Sequence, residues 1–132
     1  MNVIKYMWQL PQNLLGLLVI FFTQAEYLDW TDNKKDNYWL TNKYSFGVSL
    51  GNYIIFGRLI VFNTDIRHEQ GHQKQSLYLG WLYLPLIGLS SVLGNIWDMI
   101  FHKDWHPAKR VKWYYSLPWE KWADRLGGIE NR

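Results

Sequence analysis

His68-Glu69-Gln70-Gly71-His72 reads H-E-x-x-H, and the rest of the chain is best read outward from it. On an α-helix, side chains four residues apart stand one above the other on the same face, so both imidazoles can converge on one metal ion. Glu69 follows the first histidine and can reach a water held in an open coordination position. Two histidines on Zn2+, with a glutamate to take a proton from the bound water, is the chemistry this spacing serves. The opposing reading is an exposed polar turn of helix that happens to carry two histidines. With four His in the chain, such a match arises by chance on the order of a few times per thousand chains of this kind.

Glu120-Lys121-Trp122-Ala123-Asp124 supplies what such a site still needs. Catalytic zinc takes three protein ligands and leaves a fourth position for water. A carboxylate on a later helix can complete the set, and an aspartate one turn beyond can accept the free ring N–H of a ligand histidine. The bland alternative is a solvated helix face with Lys121 and Arg125 as charge partners. H-E-x-x-H followed downstream by E-x-x-x-D resembles the gluzincin metallopeptidases. The resemblance implies His68, His72 and Glu120 as zinc ligands, Glu69 as general base and Asp124 as the partner behind a ligand histidine. It also implies a peptide or protein substrate, and a short sheet before the zinc helix whose edge strand pairs with that substrate. Only the two short motifs carry it; the 47 residues from 73 to 119 do not discriminate. Arg67 to His72, Leu84 to Leu89 and Glu120 to Gly128 are also similar to segments of small bacterial membrane-associated proteins, a similarity that brings no assigned substrate.

The chain has 132 residues, which leaves no room for a second independent core, so one minimal domain over 1–132 is expected. The expected fold is α+β. A small antiparallel β-hairpin or sheet precedes the zinc-binding helix, apolar helices follow, and a short glutamate helix closes the chain. The absence of cysteine excludes disulfides, all-cysteine structural zinc and a thiol nucleophile. A net charge of +3, without a basic helix or a recognised motif, gives no case for nucleic acid.

The strands are read from alternation. Tyr44, Phe46, Val48 and Leu50 alternate with Ser45, Gly47 and Ser49, the period of a half-buried strand. Gly51-Asn52 and then Tyr53-Ile54-Ile55-Phe56 complete a hairpin signal, and Arg58 to Phe62 is a candidate third strand, giving a hairpin region over 44–62. Glu26 to Lys43 is polar and reads as a surface loop. The zinc helix is expected over 64–80, capped by Asn63 or Thr64 with Asp65 in its first turn. The glutamate helix is expected over 118–126, from Pro118 to the Gly127-Gly128 stop.

Aromatic residues make up 18 % of the chain. They can fill a small core or sit at a bilayer interface. Leu77 to Phe101 carries Asp98 as its only charge, and a spanning helix needs about 20 such residues. Tyr78, Trp81, Tyr83 and Trp97 stand near its ends, as interfacial anchors would. Gly80, Pro85, Gly88 and Gly94 interrupt it, so a broken or re-entrant element, or plain core, is the alternative. Membrane association is the expectation. Leu14 to Phe22 is a second apolar run, read as a retained helix over 11–24 that starts near Pro11. A signal peptide, and hence a secreted or periplasmic protein, is the alternative. Lys109-Arg110-Val111-Lys112 would place the C-terminal segment on the cytoplasmic side.

Tyr115 is the assigned oxyanion donor, with Tyr114 the other candidate; aromatic packing with Trp113 and Trp119 competes for both. His102 and His106 are also four apart, but Pro107 disfavours a shared helix, and they read as surface or interfacial loop residues. Two functions remain open: a membrane-associated zinc peptidase, or a non-catalytic membrane or interaction protein with a structural zinc or none.

Overall fold

In the computed structural model, which describes residues 3–28, 37–44, 47–57 and 63–130, two helices, Val3–Trp8 (α1) and Leu10–Thr23 (α2), lead into four short strands. These are Glu26–Tyr27 (β1), Asn37–Leu40 (β2), Gly47–Leu50 (β3) and Tyr53–Phe56 (β4). Asn63–Leu79 (α3), Leu89–Phe101 (α4), Pro107–Tyr115 (α5) and Pro118–Leu126 (α6) follow. The protein is α+β, as expected.

Within the expected 44–62 the described residues form the hairpin over Gly47–Leu50 and Tyr53–Phe56. Gly51-Asn52 turn the chain between β3 and β4, and Gly51 holds φ +64°, the left-handed backbone that tight hairpin turns need and glycine adopts at no steric cost. The sheet, however, is mixed and not purely antiparallel. Its order is β1-β2-β4-β3, with β2 parallel to β4 and the other two pairs antiparallel. The segment read as a surface loop therefore supplies two of the four strands. Tyr38-Trp39-Leu40 is a short apolar island in polar sequence, and tertiary packing decides its state. Tyr38 is buried against Ile54 and Phe56, with Leu28 and Ile66 beside them. The proposed third strand, Arg58 to Phe62, lies outside the described residues, as do the capping side chains at 63–65.

All four residues of β4 are buried, which means both faces of the strand are covered. Ile54 and Phe56 face Ile66 of α3. On the other face, Tyr53 lies against Gly16 of α2, and its hydroxyl meets that of Tyr6 at 3.0 Å.

The N-terminal apolar run, Leu14 to Phe22, lies in the single helix α2 with Pro11 in its first turn, close to the expected 11–24, and the short helix α1 precedes it. The buried residues of α2 are Gln12, Asn13 and Gly16. Gln12 donates to Ser76 Oγ and to the Gly80 carbonyl, both at 2.8 Å, and Ser76 donates to Gln9 at 2.6 Å. The second apolar stretch breaks only at Gly80, which has φ +57°. After a short 3-10 turn over Gly80–Leu82, the helix resumes, and Pro85 is absorbed in a π-helical turn, Leu84–Gly88, that runs on into α4. Leu84–Phe101 thus forms one 18-residue helix long and apolar enough to cross a membrane. Tyr83 is not an interfacial anchor: it is buried, and its hydroxyl donates to the Ser49 carbonyl at 3.0 Å.

Candidate metal centre

The site is assembled where α3 and α6 run against each other nearly backbone to backbone. Two glycines permit this. A Cβ on Gly71 would overlap the Ala123 carbonyl, and one on Gly127 would overlap the Arg67 carbonyl. A third contact a turn further along has Gln75 Nε2 donating to the Trp119 carbonyl at 2.9 Å. The pairs 67 with 127, 71 with 123 and 75 with 119 step by one helical turn in opposite directions. In the same register His68 meets Asp124, and His72 meets Glu120.

His68 and His72 share one face of α3, with their Nε2 atoms 3.1 Å apart. Glu120 Oε2 lies 3.0 Å from His68 Nε2 and 3.1 Å from His72 Nε2. All three side chains are buried, and together they form a group that could hold a metal ion. The two outer ring nitrogens are both engaged. His68 Nδ1 lies 2.7 Å from Asp124 Oδ1, and His72 Nδ1 lies 2.6 Å from Gln75 Oε1. Each partner there is an acceptor, so each Nδ1 carries a hydrogen. In the neutral imidazoles the two Nε2 lone pairs then point, with a carboxylate oxygen, at one spot. Three acceptors around one point need a cation or protons to balance them.

The electrostatics of the three side chains agree. Burial alone would lower the pKa of His68, but its hydrogen bonds to Asp124 and Glu120 and the charge of Glu69 outweigh it and raise the value to about 9. His72 is raised in the same sense, burial being outweighed by Glu120 and by the Glu69 charge. Burial works against the Glu120 carboxylate, yet the two imidazoles hold it well below the usual range.

The other oxygen of Glu120 is held from two further helices. Ser91 of α4 donates to Oε1 at 2.6 Å, and the Tyr114 hydroxyl of α5 at 3.0 Å. Both acids are buried, Glu120 completely, so the solvated-face reading does not hold. Glu69 is buried beside β3, where a Cβ on Gly47 would stand 3.1 Å from its Oε1. Tyr115 lies edge-on to the His68 ring at 5.0 Å between centroids.

Gln75, Ser91 and Tyr114 were not assigned to these roles from sequence. Gln75 had a usable signal, since it lies one turn beyond His72 on the same helix. Ser91 had none, because only the tertiary fold brings α4 to Glu120. The second histidine pair divides. His102 ends α4 as a buried residue stacked on Trp105 at 3.7 Å, with Nδ1 3.0 Å from Asp98. It is therefore no surface residue; the indole takes it out of solvent. His106 is exposed and caps α5, accepting from Ala108 N at 3.1 Å.

Neither family models, curated proteins nor solved structures match the chain.

Proposed function

We propose that this protein is a zinc-dependent hydrolase, specifically a membrane-associated metallopeptidase. One observation carries the metal: Nε2 of two histidines and one carboxylate oxygen converge at 3.0–3.1 Å with both Nδ1 atoms already committed. Ligand atoms around a tetrahedral zinc at about 2.0–2.1 Å stand about 3.3 Å from one another. The residues fit, and a nitrogen–nitrogen–carboxylate set suits zinc.

His68, His72 and Glu120 would hold the zinc, which would lower the pKa of a bound water to about 7 and polarise a substrate carbonyl. Glu69 takes the proton of the attacking water. As the carbon–nitrogen bond breaks, it delivers that proton to the departing amine. Asp124 and Gln75 keep His68 and His72 in the Nδ1–H tautomer, and Ser91 and Tyr114 fix the rotamer of Glu120. Tyr115 remains the proposed oxyanion donor, on its position against His68. Among the described residues β3 is the edge strand beside Glu69, which supports an extended peptide as substrate. Leu50 pairs with Tyr53 across the tight turn, so the outward backbone groups of β3 belong to Ser49 and Gly47. The Ser49 carbonyl already accepts from Tyr83, which confines strand addition to the Gly47 end. Burial of Glu69 favours a second reading, a closed structural zinc site without turnover. The basic residues of α5 support a cytoplasmic C-terminal segment.

Elemental analysis of detergent-purified protein tests the metal. One zinc per chain is expected, lost in His72→Ala and Glu120→Ala; no zinc after reconstitution overturns the proposal. Because zinc must displace protons from His68 and His72, its apparent affinity should rise between pH 6 and pH 9. A flat profile in a competing-chelator titration would contradict proton competition at His68 and His72.

Asp124→Ala and Gln75→Ala should each weaken zinc by about 10–100-fold, the usual effect of removing the acceptor behind a ligand histidine. Affinity within a few-fold of wild type in both would remove their proposed orienting role.

A further inference from the structure

Polar and apolar side chains are distributed inside out along α2 and the Leu84–Phe101 helix. The interior of α2 is Gln12 and Asn13, while Leu14, Leu17, Leu18, Phe21 and Phe22 are 42–75 % exposed. On the long helix, one stripe faces the protein: Tyr83, Ile87, Ser91, Gly94 and Asp98. Leu86, Leu89, Leu93, Ile96, Met99 and Ile100 are 45–66 % exposed. A helix lying on a water interface shows a polar face to water; this one shows almost none.

Ser91 and Asp98 face the protein, towards Glu120 and Arg110, while the polar side chains outside that stripe, Ser90 and Asn95, turn back on their own helix. Ser90 donates to the Leu86 carbonyl at 2.5 Å, and Asn95 to the Ser91 carbonyl at 3.0 Å. Self-satisfaction of this kind is what a surrounding without water demands. At about 1.5 Å per residue, 18 residues span about 27 Å, close to the roughly 30 Å of a hydrocarbon core. Trp81 and Trp8 stand at the Leu84 end, bonded to the Met7 and Leu77 carbonyls. At the other end lie Trp105, with Lys109 4.0 Å over its ring, and Trp113. Paired aromatic belts, one of them basic, complete the match to a bilayer.

The depth of the metal centre then follows. Ser91, which holds Glu120 at 2.6 Å, is the eighth of the 18 residues counted from Leu84. That is about 10–12 Å along a helix rising about 1.5 Å per residue. We propose that Leu84–Phe101 crosses the bilayer with the metal centre at hydrocarbon depth, and that the substrate is a peptide bond in a membrane-embedded polypeptide rather than in a soluble one. The substrate class rests on the metallopeptidase reading; the depth does not.

Two arms separate these. The chain has no cysteine, so Leu86→Cys, Leu93→Cys and Ile100→Cys can each carry a single spin label on the full-length protein in phosphatidylcholine/phosphatidylglycerol vesicles. Preferential collision with oxygen over a water-soluble nickel chelate is expected at all three, strongest at position 93. Nickel access equal to that of a label at exposed Asp104, past the end of the helix, overturns the depth, as does label–label coupling showing that a second copy covers the helix. The same zinc-loaded vesicles are then given casein and a panel of fluorogenic transmembrane peptides. Cleavage of the membrane peptides at least tenfold faster than casein is expected. Faster cleavage of casein overturns the substrate class alone. Cleavage of neither, with zinc bound, overturns the peptidase reading and the substrate class with it, while the spin-label result stands.

Discussion

Glu69→Gln should abolish zinc-dependent hydrolysis while leaving zinc in place. Positioned general-base catalysis contributes about 10²–10⁴-fold, and a glutamine amide offers no basic oxygen for the water's proton. The loss should appear in kcat, since the substitution keeps the shape of the side chain and its place beside Gly47. Zinc content should hold, because the three converging atoms belong to His68, His72 and Glu120. Two charge effects of the change oppose each other. The Glu69 carboxylate raises the proton affinity of both histidines, so its removal lowers proton competition; the same removal takes a negative charge from the neighbourhood of the cation. Zinc affinity within a few-fold of wild type is the expected balance. The measurement pairs zinc content with kcat on the same preparation. Activity within tenfold of wild type would take the general-base role from Glu69, and joint loss of zinc and activity would make Glu69 part of the metal's support instead.

What could be read in the sequence was local. The i, i+4 spacing of His68 with His72, and of Glu120 with Asp124, is a helical periodicity, so two short windows were enough to place four side chains on two faces. Gly51-Asn52 marked its turn for the same reason: left-handed backbone is a property of the residue. Pro118 and Gly127 bounded α6 by first-turn and stop chemistry. The parts that were not legible depend on distant partners. β2 is a strand because Tyr38 finds Ile54 and Phe56, which no window around Asn37 contains. Ser91 and Tyr114 hold Glu120 only because α4 and α5 fold over α6. Pro85 looked like a break, yet a π-helical turn absorbs it, since that backbone widens where the proline offers no N–H. The polar interior of α2 was hidden too. Gln12 and Asn13 find their partners in Ser76, Gly80 and Asn52, far along the chain.

Gly71 was read only as an unassigned position within H-E-x-x-H, yet its substitution should be among the most damaging in the chain. Gly71→Ala places a Cβ inside the Ala123 carbonyl. Both colliding groups are tied to helix backbone, so no side chain can rotate away, and α6 must move. Overpacking of a well-packed contact costs about 1–3 kcal/mol, occasionally more; a backbone collision belongs at or beyond the upper end. For a chain of this size that lowers Tm by about 10 °C or more. The metal centre should suffer further, because Glu120 and Asp124 travel with Ala123. A shift of α6 by about 1 Å would pull Glu120 Oε2 away from both Nε2 atoms and lengthen the 2.7 Å bond between Asp124 and His68. Zinc affinity should therefore fall by at least the 100-fold that the loss of one supporting residue can cause. Gly88→Ala supplies the comparison. Its Cβ would meet Leu84 Cδ2 at 3.4 Å and, at 4.0 Å, Leu84 Cβ and the Tyr83 carbonyl, all ordinary contacts, and the helical backbone there suits alanine, so stability should stay level or rise by up to about 1 kcal/mol. Thermal unfolding and zinc titration of the two variants side by side decide the matter. If Gly71→Ala keeps both Tm and zinc, α3 and α6 do not meet backbone to backbone, and the register that pairs His68 with Asp124 and His72 with Glu120 is lost with that contact.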